Sequence, residues 1–195
     1  MILLAILVLA IITVPLLKGR IAGLIDIDLG WTWLVAAAIG VQILIISVIP
    51  DRFEGIHRPL HFLSYVLAGA FVIANLKIPG VWLIGLGGLS NLVAIGVNGG
   101  VMPASATALR AAGMATEPDE FVNSGVLDDP RLLFLGDIFS IPGDVPVLNT
   151  VFSIGDVFIA IGTIILIHGV TGSKLVWWRR SEEVLGSEGS ESTAT

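Results

Sequence analysis

Gly80-Val-Trp-Leu-Ile-Gly-Leu-Gly-Gly-Leu-Ser-Asn91-Leu-Val-Ala-Ile-Gly-Val97 runs for eighteen residues without a charge, and Asn98-Gly-Gly-Val-Met-Pro103 follows it directly. Gly87, Asn91, Ala94 and Asn98 are spaced by four, three and four, so they share one helix face. A helix this apolar with a small, polar stripe has two uses for the stripe. Small residues let a second helix approach closely, and an asparagine amide bonds across to it. The same amides can also contact a ligand or ion. Asn98-Gly99-Gly100 reads as a helix stop with a residue at positive φ.

Four more segments resemble this one: Ile2–Leu17, Trp31–Ile49, Pro59–Leu76 and Val151–Val170. The chain of 195 residues is 55% apolar and only 13% charged, with mean hydropathy +0.95. Soluble domains carry about a quarter charged residues, and ~20 apolar residues suffice to cross a bilayer core. These features lead to the expectation of an all-α, polytopic transmembrane bundle of about five spans, with the lipid bilayer as its surroundings. The transmembrane domain then covers 1–175, with an outer loop over 99–150. The first segment lacks a basic stretch before it and a small-residue cleavage site, so it reads as an anchor rather than a signal peptide.

Charge sets the expected orientation. Lys18, Arg20, Lys77, Lys174, Arg179 and Arg180 fall on one side of such a bundle; Arg52, Arg58, Arg110 and Arg131 fall on the other. The basic side is cytoplasmic by the positive-inside rule, which puts the N-terminus outside and the C-terminus inside a bacterial cell membrane. Trp31, Trp33, Trp82, Trp177 and Trp178 all fall on the basic side. The acidic tail 181–195 is Ser/Gly/Glu-rich and is expected to be disordered. There is no cysteine, which excludes disulfides, thiolate catalysis and zinc–thiolate sites within this chain. No basic cluster suits a nucleic-acid partner. The expected partners are a second copy or a membrane protein.

Residues 99–150 carry seven acids against two arginines. Pro103–Gly113 is predicted to be a short helix, and the ten apolar residues Leu132–Ile141 a re-entrant or interfacial segment. The whole loop would cap the helix ends or act as a lid. In the last apolar segment Gly155, Gly162 and Gly169 recur every seven residues, with Ser153 and Asp156 beside the first of them. That seam would press Asp156 against a neighbouring helix, where a capping role near the helix N-terminus competes with a functional one.

Asn91, Asn98, Ser153, Asp156 and Asp137 are therefore the candidate ligand-binding residues, gathered in an outward-facing polar pocket. His57 and His61, at i and i+4, are weaker metal candidates, because no glutamate motif accompanies them and Pro59 intervenes. No cofactor is indicated. Gln42 is expected to bond between helices, and His168 to sit at a membrane interface. No Gly-x-Ser-x-Gly, His-Glu-x-x-His or phosphate loop backs an enzyme acting on a lipid or small substrate. The readings left are a small-ligand or cation binder or transporter, an accessory or structural subunit of a membrane complex, and a membrane enzyme without a recognised motif.

Asn91-Leu-Val-Ala-Ile-Gly-Val-Asn-Gly-Gly-Val-Met-Pro103, Leu135-Gly-Asp-Ile138 and Val151-Phe-Ser-Ile-Gly-Asp-Val-Phe-Ile-Ala-Ile-Gly162 together resemble a bacterial family of small multi-pass membrane proteins carrying a domain of unknown function. Gly30-Trp-Thr-Trp-Leu34 fits the same pattern. The resemblance covers most of residues 1–170 and implies a bacterial cytoplasmic membrane protein with no assigned activity. It marks Asn91, Asn98, Gly99, Gly100, Met102, Pro103, Asp137, Ser153, Gly155 and Asp156 as motif positions.

Overall fold

A computed structural model describes residues 2–47, 54–114, 124–142 and 149–176. The apolar segments form helices: α1 (Ile2–Leu16), α2 (Thr32–Ser47), α3 (Glu54–Ala74), α4 (Val81–Val97) and α6 (Ile154–Val170). The short α5 (Ala106–Ala111) lies between α4 and α6 in sequence. Four short strands complete the described chain: β1 (Met102–Pro103), β2 (Ser124–Gly125), β3 (Asp137–Ile141) and β4 (Thr150–Ser153).

The expected transmembrane bundle is overturned. Among the described residues no helix is long and apolar enough to cross a membrane. Helices α1, α2, α4 and α6 have 15, 16, 17 and 17 residues. At ~1.5 Å per residue they reach roughly 22–26 Å, short of the ~30 Å hydrocarbon core. Helix α3 has 21 residues, but Glu54, His57, Arg58 and His61 occupy its first two turns. Apolarity marks these segments, but their hydrogen-bonded lengths fall short. The membrane placement and its inside–outside orientation fall with the spans. The all-α expectation falls too, because two-stranded sheets pair β1 with β2 in parallel and β3 with β4 antiparallel.

Two boundaries moved for local reasons. Val151–Ser153 were expected to be helical; they pair with Phe139 and its neighbours in β4 instead, and Phe139 stacks on Phe152 at 5.4 Å. Leu132–Ile141, expected as a re-entrant or interfacial segment, is a 3-10 turn (Leu133–Leu135) followed by β3. Its β-branched and aromatic residues suit a strand once a partner strand is present.

Helices α4 and α6 run antiparallel and form the tightest pair. A Cβ at Gly87 would overlap Gly155 O, a Cβ at Gly162 would lie 2.7 Å from Gly80 O, and one at Gly169 would lie 2.9 Å from Pro79 Cβ. Glycines seven apart thus face each other along both helices, so the backbones touch where side chains would hold them apart. Helix α1 packs against α6 around buried Ala10, Val14 and Ile167. Helices α2 and α3 form a second pair, joined by Gln42 Nε2 donating to Ser64 Oγ at 2.7 Å, and α3 meets α4 where Val72 lies against Gly85.

One end of the bundle is tied by loops. Asn75, buried at the end of α3, bonds both Gly30 N–H and Gly30 C=O at 2.9 Å. Arg20 N–H donates to Thr171 O at 2.8 Å, and Lys174 N–H to Leu17 O at 2.9 Å. Trp31, Trp33 and Trp82 lie exposed near this end. Trp177, Trp178 and the tail 181–195 lie outside the described residues.

Candidate functional site

Helix α6 starts where β4 stops, and Ser153 is the junction. Its Oγ accepts the Asp156 N–H at 3.0 Å, while Asp156 Oδ2 accepts the Ser153 N–H at 2.9 Å. This is a capping box, with an aspartate in the place usually held by Glu or Gln. It satisfies two backbone donors at the helix start and sets a negative charge on the positive end of the helix dipole.

Asn91 locks this cap to α4. Its Nδ2 donates to Asp156 Oδ1 at 3.0 Å, and its Oδ1 accepts from Ser153 Oγ at 2.8 Å. The hydroxyl proton of Ser153 has a second acceptor within reach, Asp156 Oδ2 at 3.0 Å. Both ends of the Asn91 amide and both oxygens of Asp156 are therefore occupied within the cluster. Ser153 is fully buried. Asn91 can come this close only because residue 155 has no Cβ; a methyl there would overlap Asn91 Oδ1 and lie 2.6 Å from Gly87 O.

The structure thus brings Asn91, Ser153 and Asp156 together and puts Asn98 elsewhere. Asn98 closes α4, with Gly99 and Gly100 at φ of 72° and 101° after it. Its Oδ1 accepts Arg131 N–H at 2.8 Å, and its Nδ2 donates to Arg131 O and Ala94 O at 2.7 Å. It pins the chain ahead of the 3-10 turn, as Asn75 pins Gly30. In both cases one amide takes the place of a strand neighbour, offering a donor and an acceptor to the same residue.

Asp137 connects the strands. Its Cα is in register with Ser153, its carbonyl accepts Ser105 N–H at 3.0 Å, and its Oδ2 accepts from Ser124 Oγ at 2.6 Å. Only 5% of the residue is exposed. Burial pushes its carboxyl pKa above the usual carboxylate range; the Ser124 hydroxyl pulls it down, and the charge of Asp156 pushes it further up.

The side chains of His57 and His61 lie outside the described residues, though both positions belong to α3. Among the described residues no three His, Asp or Glu gather as a metal-ligand set. His168 is not interfacial: it is 1% exposed, between Thr13 Oγ1 at 3.3 Å from Nε2 and Ser173 Oγ at 2.7 Å from Nδ1. Thr13 already donates to Leu9 O and Ala10 O at 2.9 Å, so its oxygen is left to accept the Nε2–H. Burial lowers the His168 pKa, which keeps the ring neutral.

Two concavities open on the surface, one of them flanking the Asn91 cluster through Ser90 and Ile154. A cleft of about 540 Å³ at the loop-tied end is lined by Arg20, Asp26, Asp28, Lys77 and Thr171 among others. An apolar groove of about 500 Å³ lies between α4, β3 and α6, lined by Leu86, Leu89, Phe134, Phe139 and Phe158. Neither is lined by Asn91, Ser153 or Asp156. Sequence reasoning missed Asn75 and the buried role of His168. An asparagine three residues before the Ile78-Pro79-Gly80 turn was the signal available for Asn75.

No curated protein and no solved structure matches the chain. A family model does, over residues 26–168, a stretch that contains α2 to α5, all four strands and the Asn91–Ser153–Asp156 cluster. The chain belongs to the Family of unknown function (DUF5317).

Proposed function

We propose that the chain is a structural subunit of a protein assembly, and that Asn91, Ser153 and Asp156 form a clasp between helices rather than a ligand site. The observation that carries this reading is the mutual satisfaction of the cluster. Asn91 and Asp156 spend their side-chain polar atoms on each other and on Ser153, at 2.8–3.0 Å. A ligand would have to break those bonds, and each one broken to a charged group costs about 1.5–3 kcal/mol. The glycine seam below the clasp supports the same reading, since it gives α4 and α6 direct backbone contact.

Assembly is supported by what the helices leave uncovered. Leu9 and Leu16 on α1, Trp33 and Ile43 on α2, and Phe62 and Ile73 on α3 are each more than half exposed. Large apolar side chains left uncovered on three helices suit burial against a partner. Light scattering and native mass spectrometry of the purified chain test the reading. A defined multiple of 20.5 kDa, or a fixed-stoichiometry complex, is the expected outcome. Asp156→Asn should retain that assembly, because an amide oxygen still accepts the Ser153 N–H. A monomer at every concentration, or an assembly intact in wild type and lost in Asp156→Asn despite a folded chain, would overturn it.

A further inference from the structure

Asp137 is a buried ionisable group outside the clasp. It is the node where the cap above α4 and α6 comes together. Its backbone joins β4 through the register with Ser153 and joins the start of α5 through Ser105 N–H. Ala104 makes a parallel bridge to it, and its carboxylate holds Ser124 of β2. Three separate stretches of the cap therefore depend on this one residue.

Its electrostatic surroundings are one-sided. From α6 it faces Asp156. Helix α5 contributes Arg110, which is exposed, and the stretch before the 3-10 turn contributes Arg131, also exposed. Strand β4 and the 3-10 turn carry no charged residue. No cation balances Asp137 among the described residues, and Ser124 Oγ is its one hydrogen-bond donor there.

We propose that Asp137 is a proton-sensitive latch: the cap formed by β1, β2, β3 and the start of α5 closes on α4 and α6 when Asp137 carries its proton and loosens when the proton leaves. The sign follows from linkage. In the closed cap the carboxyl is buried and within reach of the Asp156 charge, so the closed form holds the proton more tightly than an opened form in water. The raised pKa of Asp137 agrees with that direction. Removing the proton at higher pH then favours opening, and closing is strongest on the acid side of the transition.

Hydrogen exchange of the full chain, corrected for the intrinsic pH dependence of exchange, tests the latch from about pH 3 to about pH 8. The reporters are the Ala104 and Ser105 amides, which bond Gly125 O and Asp137 O. The mid-α6 amides serve as control. In wild type, protection of the reporters should fall by up to about tenfold for each pH unit across the transition, while α6 shows no such fall as pH rises. Asp137→Asn should flatten the profile. Ser124→Ala removes the donor that favours the ionised carboxyl, so its transition should move to higher pH; this arm stands even if Asp137→Asn does not fold. A wild-type profile without a transition, an unchanged transition in folded Asp137→Asn, or an unmoved midpoint in Ser124→Ala would each overturn the proposal.

Discussion

Replacing Gly155 by alanine sets two effects of opposite sign against each other. In a helix interior, alanine is favoured over glycine by about 1 kcal/mol. At position 155, however, the new methyl would overlap Asn91 Oδ1 and lie 2.6 Å from Gly87 O, where ordinary contact begins at 3.4 Å. Backbone cannot yield as a side chain does, so α4 and α6 must part by roughly 0.8 Å or Asn91 must leave its place. Overpacking of this kind costs roughly 1–3 kcal/mol. Losing the Asn91 bonds to Ser153 and Asp156 adds about 1 and about 2 kcal/mol. The net expectation is a loss of about 3–5 kcal/mol, or roughly 6–20 °C in melting temperature for a chain this long.

Gly88→Ala is the internal control. Gly88 lies on α4 with nothing within 4 Å of its added methyl, so it should gain about 0.5–1 kcal/mol from propensity alone. Urea denaturation followed by far-UV circular dichroism measures both variants. If Gly155→Ala matches or exceeds Gly88→Ala in stability, the close α4–α6 seam and the clasp above it are wrong.

Further outcomes are expected. Asn91→Asp should be worse than Asn91→Ala in the same denaturation assay, because it sets a second carboxylate 3.0 Å from Asp156 Oδ1 where a donor belongs; equal stability would argue against the contact. Asn98→Ala should cost about 1–3 kcal/mol and speed amide exchange at Arg131, whose N–H it bonds at 2.8 Å; an unchanged Arg131 exchange rate would count against the clamp. His168 has a lowered pKa in the folded chain, so the unfolded state binds more protons below pH 6.5. Stability should therefore fall with acidification, by at most about 1.4 kcal/mol per pH unit, and His168→Gln should remove that part of the slope. A slope identical in both proteins would show that His168 is not buried neutral.

The sequence by itself determined roughly where the helices are and which helix faces are small and polar. Apolar runs give helical positions because periodicity and the absence of breakers are local properties, and glycines seven apart can be read as a seam before any partner is known. The helix stop at Asn98-Gly99-Gly100 followed from the same local logic, whereas the Asn91–Asp156 bond joins two different helices. What the runs do not contain is how much of each is hydrogen-bonded helix. Val151–Ser153 left α6 for β4 because Asp137–Ile141 lay alongside, and that contact joins residues far apart in the chain. The spans failed for this reason: hydropathy counts apolar residues, whereas crossing a bilayer depends on helical length, and lengths of 15–17 residues emerge only when the ends are fixed. Tertiary structure alone separated Asn98 from the Asn91 cluster, buried His168 between two hydroxyls, and placed Asp137 beside Asp156. Each depends on a neighbour supplied by another element, and a lone side chain does not announce its neighbour.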